Sequence, residues 1–153
     1  MDEHRIGLKP MLRRMWCKRS QRQIITVQHR YKWIYENGFV CPSGGQTFSL
    51  LLPHVSIAAY SLAVVEFARA IGAGPDKQVA LVPDRAGRHR SEQRVIPEGL
   101  HLVFLPPYSP ELQQAEHVWE LSDQALVNRH FRDLDQLMEV QAERCRKLQE
   151  LLG

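Results

Sequence analysis

Val79-Ala80-Leu81-Val82-Pro83-Asp84 is an apolar run that ends on a carboxylate. Four consecutive apolar residues before a proline read as a short strand covered on both faces. Pro83 brings no N–H to a ladder, so pairing is expected to stop there. His101 to Leu105 reads as a second buried strand, closed by Pro106-Pro107. Ser91 to Glu98, between the two runs, has the pattern of a short helix. Two buried strands joined by a crossover imply parallel pairing, and with it an α/β fold.

The residues upstream supply the rest of a sheet. Asp2 to Leu8 is short and partly alternating, as in a strand. Ile24 to Val40 is rich in β-branched and aromatic residues, with Tyr31, Trp33 and Tyr35 alternating against Lys32, Ile34 and Glu36, and reads as one long strand. Pro42-Ser43-Gly44-Gly45 is the turn that lets Phe39-Val40 pair with Thr47 to Leu52, which leaves Gly38 as a bulge. Pro53 ends that third strand. Ser56 then caps a helix whose apolar residues Ile57, Tyr60, Val64, Phe67 and Ile71 keep helical spacing until Gly72. A further helix is expected after Ser109-Pro110, Ser109 serving as its N-cap. Its inner stripe is Ala115, Val118, Trp119, Ser122, Ala125 and Leu126. A last helix spans about Leu134 to Leu152, with Leu134, Leu137, Met138, Cys145, Leu148 and Leu152 on one side. The order is a three-strand antiparallel meander, then parallel strands, flanked by helices: a mixed sheet in a single domain over 1–153.

Composition narrows the function. Apolar residues make up 44% and charged residues 24% of 153, as in an ordered globular chain. No uncharged apolar stretch approaches the ~20 residues that cross a bilayer. Cys17, Cys41 and Cys145 are odd in number and widely spaced, without a CxxC pair, as reduced cytoplasmic thiols would be. Net charge is +3, but residues 1–35 hold nine Lys and Arg against two Asp and Glu, and residues 111–153 hold five against nine. Arg13, Arg14, Lys18, Arg19 and Arg22, with Trp16, Tyr31 and Trp33 interleaved, form a block suited to a polyanion. The ordinary alternative is a solvated basic face.

Asp84 stands where a buried strand leaves its sheet, the place where α/β sheets collect ligands. Glu116 follows on a helix packed over that sheet, and Asp2 lies on the first strand. Hard oxygen donors on separate rigid elements are what two Mg²⁺ or Mn²⁺ ions need if they are to lie roughly 3.5–4 Å apart for phosphodiester chemistry. Taken singly, Asp84 also fits a turn cap. Glu116, with Glu120 and Asp123 on its face, also fits a solvated helix surface.

The surrounding words resemble a family. Asp2-Glu3-His4-Arg5-Ile6-Gly7-Leu8, Asp84-Arg85-Ala86-Gly87-Arg88-His89 and Leu105-Pro106-Pro107-Tyr108-Ser109-Pro110-Glu111-Leu112, followed by Glu116 and Trp119, are similar to the catalytic domain of mariner-like DDE transposases and their bacterial insertion-sequence-630 branch. The resemblance implies a ribonuclease-H-like fold and a metal-binding triad of Asp2, Asp84 and Glu116. It also implies cut-and-paste transposition through DNA strand cleavage and transfer, by a homodimer on double-stranded element ends and target. In a bacterial cell that places the protein at the nucleoid. Arg85, Arg88, His89 and the Arg13 to Arg22 block would then touch DNA. The expected chain is a catalytic domain without the early part of its first strand and without an upstream helix-turn-helix; the alternative is an inactive DNA-binding remnant. Three positions depart from the family pattern: Pro83 for an aliphatic residue, Arg85 for Asn, and Gln113-Gln114 for Asn-Pro.

Other residues point less far. The seven histidines show no HExxH or other paired ligand spacing, so a zinc enzyme is not expected. His89 is read either as a contact to the scissile phosphate or as a surface loop residue. Trp119 is expected to anchor its helix in the core rather than to stack on bases.

Overall fold

In a computed structural model, all residues are described except Arg22, Gln23, Tyr108 and Gly153, together with the side chains of Arg88, Pro110 and Leu152. Three antiparallel strands open the chain in the order β1 (Asp2–Gly7), β2 (Trp33–Val40) and β3 (Thr47–Leu52). β1 and β2 pair from Asp2↔Gly38 to Gly7↔Trp33, and β2 and β3 from Tyr35↔Leu52 to Val40↔Thr47. The Pro42 to Gly45 turn therefore joins β2 to β3, as expected. Gly38 is no bulge, because the register runs through it without a break.

The long strand expected over Ile24 to Val40 forms only from Trp33. β1 is six residues long and offers no edge beyond Gly7; the last bond runs from Leu8 N–H to the Lys32 carbonyl at 3.1 Å. Ile24 and Tyr31 stay 93% and 69% exposed. Strand propensity without a partner does not make a strand. Side chains tie this stretch down instead, Gln28 donating to the Phe131 carbonyl at 2.6 Å and Arg30 to that of Arg132 at 2.8 Å.

After β3 comes α1 (Ile57–Ile71), then β4 (Val79–Leu81), the single turn α2 (Gly87–Arg90) and β5 (Leu100–Leu102). Ser56 caps α1 by accepting from Ala59 N–H at 3.0 Å, and Gly72 ends it in the left-handed region at φ 68°. β4 and β5 pair in parallel. Their ladder bonds continue to Leu105 N–H on the Pro83 carbonyl at 3.2 Å, so the proline removes a donor without ending the contact. Ala80, Val82, His101 and Val103 are exposed, so β4 and β5 are covered on one face rather than two. The short helix expected over Ser91 to Glu98 is also displaced: the helical turn is α2, and Ser91 follows it in extended backbone.

The chain closes with α3 (Glu116–Ser122) and α4 (Leu134–Leu152). A 3₁₀ turn, Pro110–Leu112, precedes α3, and the Ser109 hydroxyl donates to the Pro107 carbonyl at 3.4 Å instead of capping a helix. Met138, expected on the apolar side of α4, is 40% exposed, and Leu152 lies outside the described side chains.

Alternation along β2 sorts two cores onto opposite faces. Phe39 stacks on Phe67 of α1 at 4.2 Å and joins Met1, Tyr60, Val64, Leu81 and Leu100. Ile34 turns the other way, toward Ile6, Leu8, Leu126, Phe131 and Leu137 beneath α4. Among the described residues, no helix is long and apolar enough to cross a membrane. The α-amino group of Met1 donates to the Val82 carbonyl at 3.0 Å, which brings the head of β1 level with the end of β4.

Candidate active site

That junction brings Asp2 and Asp84 together. Asp2 opens β1, Asp84 follows β4, and Glu116 is the first residue of α3. All three line one cleft of about 310 Å³, with Arg85, Leu105, Pro106 and Gln113 among its other walls. Burial holds the Asp2 carboxyl above its usual range, an indole N–H pulls it back, and the neighbouring Asp84 charge pushes it up again. Asp84 Oδ1 accepts from Ala86 N–H at 2.9 Å, which closes the loop behind it. Glu116 is exposed. Among the described residues, no three or more His, Cys, Asp and Glu side chains already stand at ligating separation.

His89 is placed where the sequence does not suggest. It is 1% exposed, so it is neither a surface loop residue nor turned to solvent for DNA. Its Nδ1 lies 2.5 Å from Asp84 Oδ1 and its Nε2 3.6 Å from Glu3 Oε1, with the ring 4.5 Å from that of Tyr60. α2 is what turns it inward, since a single helical turn after Asp84 folds position 89 back over the loop. Burial pushes the Tyr60 hydroxyl up to about 12, so it stays protonated beneath this group.

The remaining basic candidates are spread along the rim and the β1–β2 connection. Arg85 borders the cleft and donates from Nε to the Leu105 carbonyl at 2.7 Å. Arg14, Lys18 and Arg19 are exposed. Arg13 lies 3.7 Å from Asp123, while Asn128 takes its N–H at 3.0 Å and gives to its carbonyl at 2.9 Å. Arg22 and the Arg88 side chain lie outside the described residues.

Three supports escaped the sequence reading. Asp123, expected on a solvated face, is 7% exposed and paired with His4 at 2.9 Å. Gln113, one of the family departures, is buried and donates to the Met1 carbonyl at 3.1 Å, bracing the peptide that carries Asp2. Trp119 does anchor α3, but its Nε1–H also donates to Asp2 Oδ2 at 3.1 Å. The spacing from Glu116 to Trp119 puts both on one helix face and is the one local signal for that contact.

A strand, a strand end and a helix that bring acidic side chains to one cleft, on an antiparallel meander joined to a parallel pair, define a ribonuclease-H-like domain. The chain matches the DDE superfamily endonuclease family over residues 1–138 and belongs to it. It is 36% identical over 107 residues to the uncharacterized protein y4pE/y4sA of Sinorhizobium fredii (strain NBRC 101917 / NGR234), a match covering 69% of this chain and 78% of that one. Its fold is similar to that of the Mos1 transposase in a paired-end complex with the left transposon end, with TM-score 0.58, 16% identity and 97% of this chain covered. The Mos1 strand transfer complex gives 0.58 at 16% identity over 98% of the chain, and the Mos1 mariner paired end complex with Mn gives 0.57 at 17% over 97%. The chain spans about half the length of those transposases, 50–51%. It is a DDE superfamily endonuclease domain.

Proposed function

We propose that this domain cleaves and joins DNA strands in the cut-and-paste movement of an insertion sequence, with Asp2, Asp84 and Glu116 holding two Mg²⁺ or Mn²⁺ ions. The observation that supports this most is the shared cleft, lined by acidic side chains from three separate elements. All the donors are carboxylate oxygens, the chemistry that hard divalent cations prefer, and the mutual repulsion of Asp2 and Asp84 is what such cations relieve. Bound there, the ions would supply Lewis acidity to the attacking hydroxyl and the departing 3′ oxygen. Cleavage forms a bond from water oxygen to phosphorus and breaks the P–O3′ bond, leaving a 3′-hydroxyl; transfer repeats the exchange with that hydroxyl as the attacking group. The chain's own part is positioning. Glu116, exposed at the start of α3, closes the acidic set from the helix side. Arg85 at the rim, together with Arg13, Arg14, Lys18, Arg19, Arg22 and Arg88, would hold phosphates, contacts that set position rather than sequence. The reading includes a homodimer on paired DNA ends; the Mos1 transposase, similar in fold, forms paired-end and strand transfer complexes.

A second reading, a DNA-binding remnant without catalysis, is favoured by one observation: the carboxylates are not already gathered at ligating separation among the described residues. Supercoiled plasmid and Mn²⁺ separate the two. Nicking by the purified chain, reduced at least 100-fold in both Asp84→Ala and Glu116→Ala, supports the enzyme. Salt-sensitive retention of plasmid without nicking supports the remnant.

A further inference from the structure

We infer that Trp119 is a positioning residue for Asp2, its indole N–H fixing the carboxylate so that Oδ1 is presented to the cleft. The inference deepens the proposed metal-dependent reading and rests on it. A residue that only fills a core between α3 and the sheet needs bulk, and Leu or Phe would serve. What Trp adds is a donor, and here the donor meets Asp2 Oδ2 at 3.1 Å.

The ring is held in place from two sides. It lies on Gly38, the residue directly across from Asp2 in the β1–β2 register. A Cβ at Gly38 would stand 2.4 Å from Trp119 Cη2, so the strand must be bare at that point for the indole to reach its neighbour. His4, two residues along the same face of β1, stacks on the indole at 5.0 Å and 14° between planes. Asp123, just beyond α3, holds His4 in turn at 2.9 Å. Gly38 and His4 thus bracket one ring, Asp123 backs His4, and the ring ends on a carboxylate of the cleft. An aspartate in a cation site works only in a rotamer that faces the ion, and a second-sphere donor of this kind sets that rotamer.

Two measurements test this. With ¹⁵N-labelled tryptophan the chain gives three indole N–H signals, one for each of Trp16, Trp33 and Trp119, and Trp119→Phe assigns the third. Asp2→Ala is expected to shift that signal and speed its exchange with solvent; no change overturns the hydrogen bond whatever the enzyme does. Binding of Mn²⁺ alone, read by water-proton relaxation, is expected to weaken about 10- to 100-fold in Trp119→Phe, the loss typical of removing an outer-shell donor to a metal-binding carboxylate. Plasmid retention is expected to change little. Unaltered Mn²⁺ affinity overturns the positioning role. Should Trp119→Phe fail to fold, Gly38→Ala displaces the ring and keeps its N–H, and the same weakening is expected; unchanged affinity there counts equally against the inference. A wild-type chain that binds no Mn²⁺ overturns both this inference and the proposed function. One that binds Mn²⁺ but leaves DNA intact overturns strand cleavage alone.

Discussion

Asp2 carries its charge where the fold disfavours it. Burial and the Asp84 charge raise its folded pKa above the ordinary aspartate value of 3.8, and the Trp119 N–H offsets only part of that. The linkage has a definite sign. The folded chain binds the Asp2 proton more tightly than the unfolded chain does, so stability falls as pH rises from 3.8 through the raised value and stays lower above it. Removing the charge should therefore stabilise the metal-free protein. Asp2→Asn, whose amide oxygen can still accept from Trp119, is expected to melt higher than wild type at pH 7 in chelator, with the gap closing below about pH 4. Millimolar Mn²⁺ is expected to raise the melting temperature of wild type and leave Asp2→Asn nearly unmoved. Calorimetry checks both, and a variant that melts lower at every pH would place Asp2 in an environment that favours its charge. Functional carboxylates commonly show this opposition between stability and readiness to bind.

Among the elements, α1 was fully legible, because cap, period and stop all lie within its own residues from Ser56 to Gly72. α4 was nearly so, its bounds matching the apolar spacing from Leu134. The failures share a cause: they depend on partners distant in sequence. Ile24 to Lys32 has the propensity of a strand but meets no edge, and the start of α3 depends on a 3₁₀ turn folded against the cleft. Gln141 shows the same limit inside a well-read helix. It is wholly buried on α4 and donates to Glu36 Oε2 of β2 at 2.7 Å, while Ser49 and Cys145 donate to Oε1 at 3.0 and 3.3 Å. Beside Glu36, burial first and then the carboxylate charge push the Cys145 thiol well above its usual range, so it stays a neutral donor. A buried acidic group with three donors locks the register of α4 on the sheet, and losing one donor leaves an acceptor stranded. Gln141→Leu is expected to cost about 2 kcal/mol in urea unfolding, against a few tenths for Glu139→Gln on the exposed face. Equal effects would mean that α4 is held by its leucines alone.

At the scale of the molecule, the cleft sits at the seam of two small sheets, with separate cores on either side. The three acidic candidates stand in the words that resemble the family, but the residues that support them could not be read there, because Gly38 and His4 meet Trp119, and His4 meets Asp123, only once β1, β2 and α3 are assembled. Charge is divided in the same way: the basic excess lies on β1 and the β1–β2 connection, the acidic excess on the α3 and α4 side. The connection does not hang loose at its start, since Asn128 grips the Arg13 backbone from both sides and Asp123 lies beside its guanidinium. Arg14, Lys18 and Arg19, beyond that grip, are exposed and suited to a polyanion. Each phosphate neutralised releases condensed counterion, so the logarithm of DNA affinity should fall with the logarithm of salt by about 0.9 for every contact. Replacing all three residues by Gln is expected to lower that slope by about 2.7 and to weaken binding evenly across sequences. Arg13→Gln, already engaged with Asp123, is expected to change the slope by less than one contact. Fluorescence anisotropy on a short duplex from 50 to 300 mM salt reads both. A triple variant with the wild-type slope would move the DNA path off this connection and leave Arg85 at the rim as the cation to test next.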